Sequence, residues 1–302
     1  MPSVSDKHNP EISVIMGVYN QFNKDILLKA VQSILDQTFK DFEFIIYDDG
    51  SNKAVGDYLK EIEKLDSRII LIGQDVNHGL AFSLNECIGR ARGKYIARMD
   101  SDDISEPNRL KVQREYLINH PEFGWCGCNA TLINEDGVWG IRKMPEFPTM
   151  EDYLKFSPYI HPSVMYRSEI FDSNEGYSVS KEMLRCEDYE IFMRLRQAGF
   201  RGANIQDNLF RYRENSNSYK RRTWKNRINE SKCRYRNFKT MKILWPKGFW
   251  YVLRPIIGGL VPNKVIYAIK RKESGGKNAV SQSKTSSVSA DSSRGSESLL
   301  CS

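Results

Sequence analysis

Short β-branched runs alternate with amphipathic stretches through the first hundred residues, and no other property of the chain narrows its fold as much. Residues 12–16, Ile-Ser-Val-Ile-Met, predict a strand, because branched side chains suit a pleated, half-buried surface. Behind them Ile26, Leu27, Ala30, Val31, Ile34 and Leu35 recur at helical spacing. The unit then repeats: strand 42–47, helix 55–65, strand 68–72, helix 80–90, strand 95–99. Parallel strands need crossover connections, so this order predicts an α/β fold with a Rossmann-like, mostly parallel sheet and helices on both faces. After residue 120 the pattern shifts to shorter β-like stretches at 127–133 and 163–166 and a helix over 187–198, read as the other wall of a cleft.

Ligands of such sheets sit at the carboxyl ends of the strands. The polar clusters of this chain fall at those ends: 17–20, 48–51, 77–79 and 100–103. Asp100, Asp102 and Asp103 crowd three carboxylates into four residues, and like charges so close favour a divalent cation with oxygen ligands. One of them could instead cap a helix starting near Pro107. Asp48 and Asp49 could accept from a base imide or from ribose hydroxyls, or make an Asx-turn only. Tyr19, two residues past Gly17, could lie against a base or belong to the core. Glu187 and Asp188 open an amphipathic helix, where acids favour the macrodipole and where one could serve as general base. His161 is a cleft residue or a satisfied loop histidine. Neither common Gly-rich phosphate loop, nor a His/Cys metal cluster, nor a serine nucleophile elbow is present.

The net charge of +7 conceals an asymmetry. Residues 1–218 carry 26 Lys and Arg against 34 Asp and Glu, whereas 219–272 carry 16 against one. In that basic stretch Trp224, Tyr235, Phe238, Trp245, Phe249, Trp250 and Tyr251 are interleaved with the cations, and Pro246, Pro255 and Pro262 divide it into short pieces. An anionic membrane leaflet fits this mixture better than a nucleic acid, and a helix packing one face on the body is the plain alternative. No run reaches the roughly 18 apolar residues of a spanning helix, and residues 1–10 lack the apolar stretch of a signal peptide, so a cytoplasmic protein is expected. Six scattered cysteines then read as free, mostly buried thiols. Residues 273–302 hold 11 serines and read as a disordered tail.

Taken in order, residues 12–20, 45–51, 77–81, 95–103, 107–110, 161–163 and 186–189 resemble the motifs of family 2 glycosyltransferases, in particular the bacterial enzymes that build capsular or exopolysaccharide repeat units. The resemblance spans about residues 11–218 and implies a GT-A (nucleotide-diphospho-sugar transferase) fold, 11–119 forming the donor half and 120–218 the acceptor half. It further implies inverting transfer from a nucleotide-diphosphate sugar, UDP-linked as the first expectation, and a Mn2+ or Mg2+ ion. By position, Tyr19 would stack on the base, with Gly17 and Ser101 beside the nucleotide and Asp48 or Asp49 bonding base or ribose. Asp100 and Asp102 would be the metal and diphosphate acids and Asp188 the base, with Glu187 and His161 on the acceptor or diphosphate side. Many relatives carry a metal-ligating histidine where this chain has Arg213, which could pair with the diphosphate instead. A polyprenyl-diphosphate-linked saccharide acceptor would give the basic 219–272 segment a role at the inner leaflet. Rival readings are a sugar-nucleotide nucleotidyltransferase, which would want a basic Gly-rich loop after strand one, and a non-catalytic binder or membrane-associated scaffold.

Overall fold

The computed structural model describes residues 9–180, 182, 185–214 and 223–260; the serine-rich 273–302 segment and the ends of the two flanking segments lie outside them. The expected β-α units are all present: β1 Ile12–Val18, α1 Lys24–Leu35, β2 Phe42–Asp49, α2 Lys53–Glu63, β3 Ile69–Gln74, α3 Leu80–Arg90 and β4 Tyr95–Asp100. Asn23 and Asn52 start α1 and α2, each accepting a hydrogen bond from the amide three residues on. Next come β5 Ile104–Ser105, α4 Arg109–Asn119, β6 Trp125–Asn134, β7 Gly137–Arg142, α5 Met150–Lys155, β8 Met165–Arg167, α6 Glu169–Ser173, α7 Glu187–Gln197 and β9 Gly202–Arg213.

Among the described residues nine strands form one sheet in the order β3-β2-β1-β4-β8-β6-β9-β5, with β7 on β6. The β3-β2-β1-β4 half is parallel throughout. Beyond it β8 runs antiparallel to both β4 and β6, and β6 and β9 are parallel to each other. Six of the nine strands therefore point one way, so the sheet is mostly parallel in direction although half its pairings are antiparallel.

Side chains alternate across each strand. Val14 and Met16 of β1 join Leu27, Ala30 and Ile34 of α1, Leu59 of α2 and Leu110 and Leu117 of α4 in one core. Ile15 faces the other way, into a core with Leu84 of α3, Ile191 and Phe192 of α7 and Trp125 of β6. Cys87, Cys126, Cys128, Cys186 and Cys233 are buried and unpaired, as the composition predicts.

Two expectations change. The stretch 163–166 is not a single strand: His161–Ser163 forms a 3-10 turn and the strand begins at Met165. Pro162 has no amide hydrogen to give a ladder, which delays the strand. The basic segment is divided at Pro246, as expected, but not at Pro255: among the described residues it comprises α8 Trp224–Thr240 and α9 Phe249–Ile257, separated by a kink at Leu244–Gly248 where Trp245 is extended (φ −112°, ψ 144°). Pro255 sits inside α9, near its end, where only one intrahelical bond is forgone. α8 buries Cys233 and Phe238 in the same core as α7, and Arg234 donates to the Leu154 carbonyl at 2.9 Å, so one face packs on the body.

Parallel register sets Gly17 level with Asp100 on one side and Val18 level with Asp48 on the other. The β2 and β3 loops meet at Gly50, whose φ of +72° favours glycine and where a Cβ would lie 2.7 Å from backbone atoms of Val76 and Asn77. Gly50→Ala is expected to destabilise the fold by about 2 kcal/mol or more, combining strained backbone with a steric clash. A urea midpoint unchanged from wild type would refute this.

Candidate functional site

β4 ends on Asp100, and the loop that follows turns back to place Asp100, Asp102 and Asp103 together, with one ligand oxygen from each lying within 4.8 Å of the others. β9 holds this loop from the side. The Arg213 amide donates to Asp103 Oδ1 at 2.7 Å, and Arg213 Nε donates to the Asp102 carbonyl at 2.8 Å. Arg213 is thus a brace of the acidic loop. Asp103 is buried, and the expected helix cap is absent from it, since α4 starts later, after Asn108. Burial, then the Asp102 and Asp100 charges, push the Asp103 carboxyl well above the usual carboxylate range. Its Oδ2 is buried with no hydrogen-bond partner among the described residues. Three hard oxygen donors, mutually repelling and with one oxygen orphaned, fit a divalent cation.

Beneath Asp100 lies Arg98, 1% exposed, whose Nη2 donates to Asp100 Oδ1 at 2.8 Å. Asp188, in the first turn of α7, feels the same guanidinium. Loss of water around its carboxyl and then the adjacent Glu187 charge raise Asp188 to about 7, with Arg98 pulling the other way. That value suits a proton acceptor near neutral pH. Glu187 itself is half-buried, with Oε2 lacking a partner among the described residues. His161 does not line an open surface: it is buried and its Nε2 lies 2.8 Å from the Tyr177 hydroxyl. Burial, and then Arg98, hold its pKa well below the usual histidine value, so it is neutral.

On the β1-β2 side Tyr19 is 54% exposed, which removes it from the core and leaves its ring at the rim. The two adjacent acids separate cleanly. Asp49 is buried and accepts from Asn77 Nδ2, the His78 amide and the Gly79 amide, each at 2.8 Å, so its carboxylate tethers the loop that starts α3. Asp48 is half-buried and accepts from the Ser51 amide through Oδ1 at 3.0 Å. Asn20 links the two loops, its amide donating to Ser51 Oγ and its Oδ1 accepting from the Asn52 amide. A Cβ on Gly17 would press at 3.1 Å on Ser83 of α3, and Ser101 is half-buried beside the acids.

Sequence reasoning passed over Arg98, although a signal existed: a lone arginine inside the otherwise apolar strand 95–99. Arg109 is likewise hidden in the 107–110 motif. It is buried under β4, donating to the Arg98 carbonyl at 2.6 Å and to Gln113 Oε1 at 3.0 Å, and thereby fixes the strand that carries Asp100.

The profile of the family described as Glycosyl transferase family 2 matches residues 13–174. EpsE of Bacillus subtilis (strain 168), named as a glycosyltransferase, is 33% identical over 264 residues, covering 87% of this chain and 94% of that protein. The O-antigen biosynthesis glycosyltransferase WbnJ of Escherichia coli is 31% identical over 214 residues, covering 68% and 81%. The amylovoran biosynthesis glycosyltransferase AmsE of Erwinia amylovora is 28% identical over 274 residues, covering 86% and 98%. Among solved structures, S. aureus TarS 1-349 in complex with UDP superposes with a TM-score of 0.56 at 19% identity, covering 74% of this chain and 65% of that one. The mannosyltransferase PcManGT of Pyrobaculum calidifontis, in complex with GDP-Man and Mn2+, gives 0.59 at 13% identity, covering 93% and 85%. These two share the GT-A-like fold with this chain.

Proposed function

Because this chain belongs to glycosyl transferase family 2, we propose that it moves a sugar, with inversion, from a nucleotide-diphosphate donor to a hydroxyl of a saccharide acceptor in surface polysaccharide synthesis. The observation that carries this reading is the pairing of two acidic groups around one buried cation: the Asp100-Asp102-Asp103 cluster at the end of β4 and Asp188, both within the field of Arg98. Asp100 and Asp102 would hold a divalent ion, whose chemistry when bound is to neutralise charge on the departing diphosphate. Tyr19 lies under the base, and Asp48 rather than Asp49 reaches base or ribose, since Asp49 is already committed to three internal donors. Asp188 removes the proton from the acceptor hydroxyl. The acceptor oxygen bonds to the anomeric carbon on the face opposite the diphosphate, and the carbon–oxygen bond to the diphosphate breaks with its electron pair leaving on the diphosphate oxygen. One displacement inverts the centre. UDP-sugars are the first donors to assay, with GDP-sugars beside them, in Mn2+ with saccharide acceptors. The reading requires acceptor-dependent release of nucleotide diphosphate and a product of inverted anomeric configuration; retained configuration, or no release with any donor, would overturn it.

The acceptor we propose is lipid-linked, met at the inner membrane face. Among the described residues no helix is long and apolar enough to cross a membrane. The end of the structure nevertheless exposes Trp245 (72%), Trp250 (68%) and Leu260 (76%), with Phe249 stacked on Trp245 at 5.2 Å. Lys242, Lys247 and Arg254 are exposed around them. Indoles flanked by cations suit an anionic headgroup layer. In flotation with phosphatidylglycerol vesicles, the Trp245→Ala/Trp250→Ala double variant should bind at least about tenfold more weakly, from the apolar area lost at roughly 25 cal/mol per Å². Equal flotation of variant and wild type would remove this surface from the proposal.

A further inference from the structure

We propose that the cavity at the starting ends of β6 and β9 is a second ligand site, taking one sugar unit that carries a carboxylate or phosphate group. The proposal rests on the walls of that cavity and not on the acidic rim, so it stands or falls apart from the proposed transfer.

Strand register fixes where the cavity lies. Trp125, the first residue of β6, is level with Tyr166 of β8, and Tyr166 is level with Ile96 of β4, four residues before Asp100. At about 3.3 Å per residue, this level is roughly 13 Å back along the sheet from the acidic cluster. α7 gives the same separation: Asp188 is in its first turn and Arg196 in its last, about 12 Å further along the axis. The two sites occupy opposite ends of the sheet.

The cavity measures about 340 Å³, at the small end of the range for small-molecule sites. Arg196 and Arg201 line it together with Phe123, Phe147, Tyr153 and Tyr159, and no aspartate or glutamate is among its walls. Neither arginine side chain makes an ion pair or hydrogen bond among the described residues. The macrodipole of α7 does not account for both, since Arg194 already occupies its last turn, paired with Glu190 at 2.9 Å, and Arg201 lies outside any helix. The buried Tyr153 and Tyr159 hydroxyls share one hydrogen bond of 3.4 Å, which uses one of their two hydrogens. Burial pushes Tyr153 up to about 12 and Tyr159 well above the ordinary tyrosine value, so both are neutral and able to donate. Behind Gly202 the wholly buried Trp125 indole N–H favours the ionised form of Tyr159 without completing a hydrogen bond. A Cβ on Gly202 would run into that indole nitrogen, so glycine is what keeps the wall open there.

Cations and neutral donors gathered without an acid call for an anion, and the planar guanidinium fork matches the paired oxygens of a carboxylate or phosphate. The mouth supplies the rest of the ligand. Phe123 and Phe147 stack there with ring centroids 5.9 Å apart, and Phe147 is 57% exposed. An aromatic face exposed beside the charge suits the C–H side of a pyranose ring, whereas a bare inorganic ion has nothing to place against it.

The test is isothermal titration of the full chain in a metal chelator, so that no cation draws anions to the acidic rim. The titrants are glucuronate, glucose 6-phosphate, glucose and inorganic phosphate. At least one of the two charged sugars should bind with a Kd of about 1 mM or tighter, the strength expected of a ligand of this size. Glucose and inorganic phosphate should each bind at least about tenfold more weakly than that sugar. Which charged sugar binds assigns the site to carboxylate or to phosphate. Arg196→Gln and Arg201→Gln should each weaken its binding about tenfold or more, and Phe147→Ala severalfold, while Lys232→Gln on the exposed face of α8 should leave it unchanged. Arg201 and Phe147 are exposed, so their variants carry the comparison even if Arg196→Gln fails to fold. Binding of neither charged sugar, binding untouched by loss of Arg201, or glucose or inorganic phosphate bound as tightly as the charged sugar would each overturn the proposal.

Discussion

Asp188→Asn is expected to bind donor as wild type does and to lose about 10³-fold in kcat, the contribution of a well-placed general base. The amide has nearly the size of the carboxylate but cannot accept the acceptor's proton. Glu187→Gln makes a useful companion, because the Glu187 charge is one of the two main reasons Asp188 sits at about 7. The sign of the pH dependence follows from that position. A base must be ionised to act, so the rate should climb as pH rises through 7 and fall below it. Removing the Glu187 charge should move that limb downward in pH. Transfer measured with saturating donor and acceptor reads both effects. Full turnover by Asp188→Asn would remove the carboxyl from the chemistry.

The second large effect is expected at Asp102. Asp102→Ala should reduce kcat by about two or more orders of magnitude, as the loss of several kcal/mol of charge stabilisation at the diphosphate implies. Chelation of wild type should reproduce the loss, with Mn2+ restoring wild type and not the variant. Asp100→Ala would strand the buried Arg98 charge, a penalty of about 3–5 kcal/mol to the fold. Asp103→Ala would release the Arg213 amide that anchors the loop. Activity that survives both chelation and Asp102→Ala would mean the acidic cluster serves the fold alone.

The first half of the fold was legible because the central strands β1, β2 and β4 bury both faces, which leaves runs such as 42–47 almost wholly apolar, and each helix shows a single apolar stripe. The rim followed from topology, since polar clusters after parallel strands must share an edge. The second half was harder to read. β9 pairs with β6 from Trp125 to Ile133 through two register shifts, and its exposed middle, Gln206 to Asn208, hides the strand period. Within the site, adjacent residues of one chemical type could not be ranked from the sequence. Asp48 and Asp49 differ only in which of them meets Asn77, His78 and Gly79, a contact made 28 to 30 residues away. Arg213 was legible as a cation near the acids, but its bonds to the Asp102 carbonyl and to Asp103 depend on β9 passing the acidic loop. The likeness of motifs pointed to the acids of the proposed site and passed over the buried arginines behind them.

β8 is only three residues long, yet it laces β4 to β6 and makes one continuous ladder of the first and second halves of the sheet. Proteins that clamp a ligand by swinging one lobe over another pivot on a few unpaired residues between lobes. Here the seam is spanned by interstrand bonds, and opening it would mean breaking them. The relation of β4, which carries Asp100, to β6 is accordingly set when the chain folds, and any adjustment to a ligand would fall to the loops around a rigid anvil.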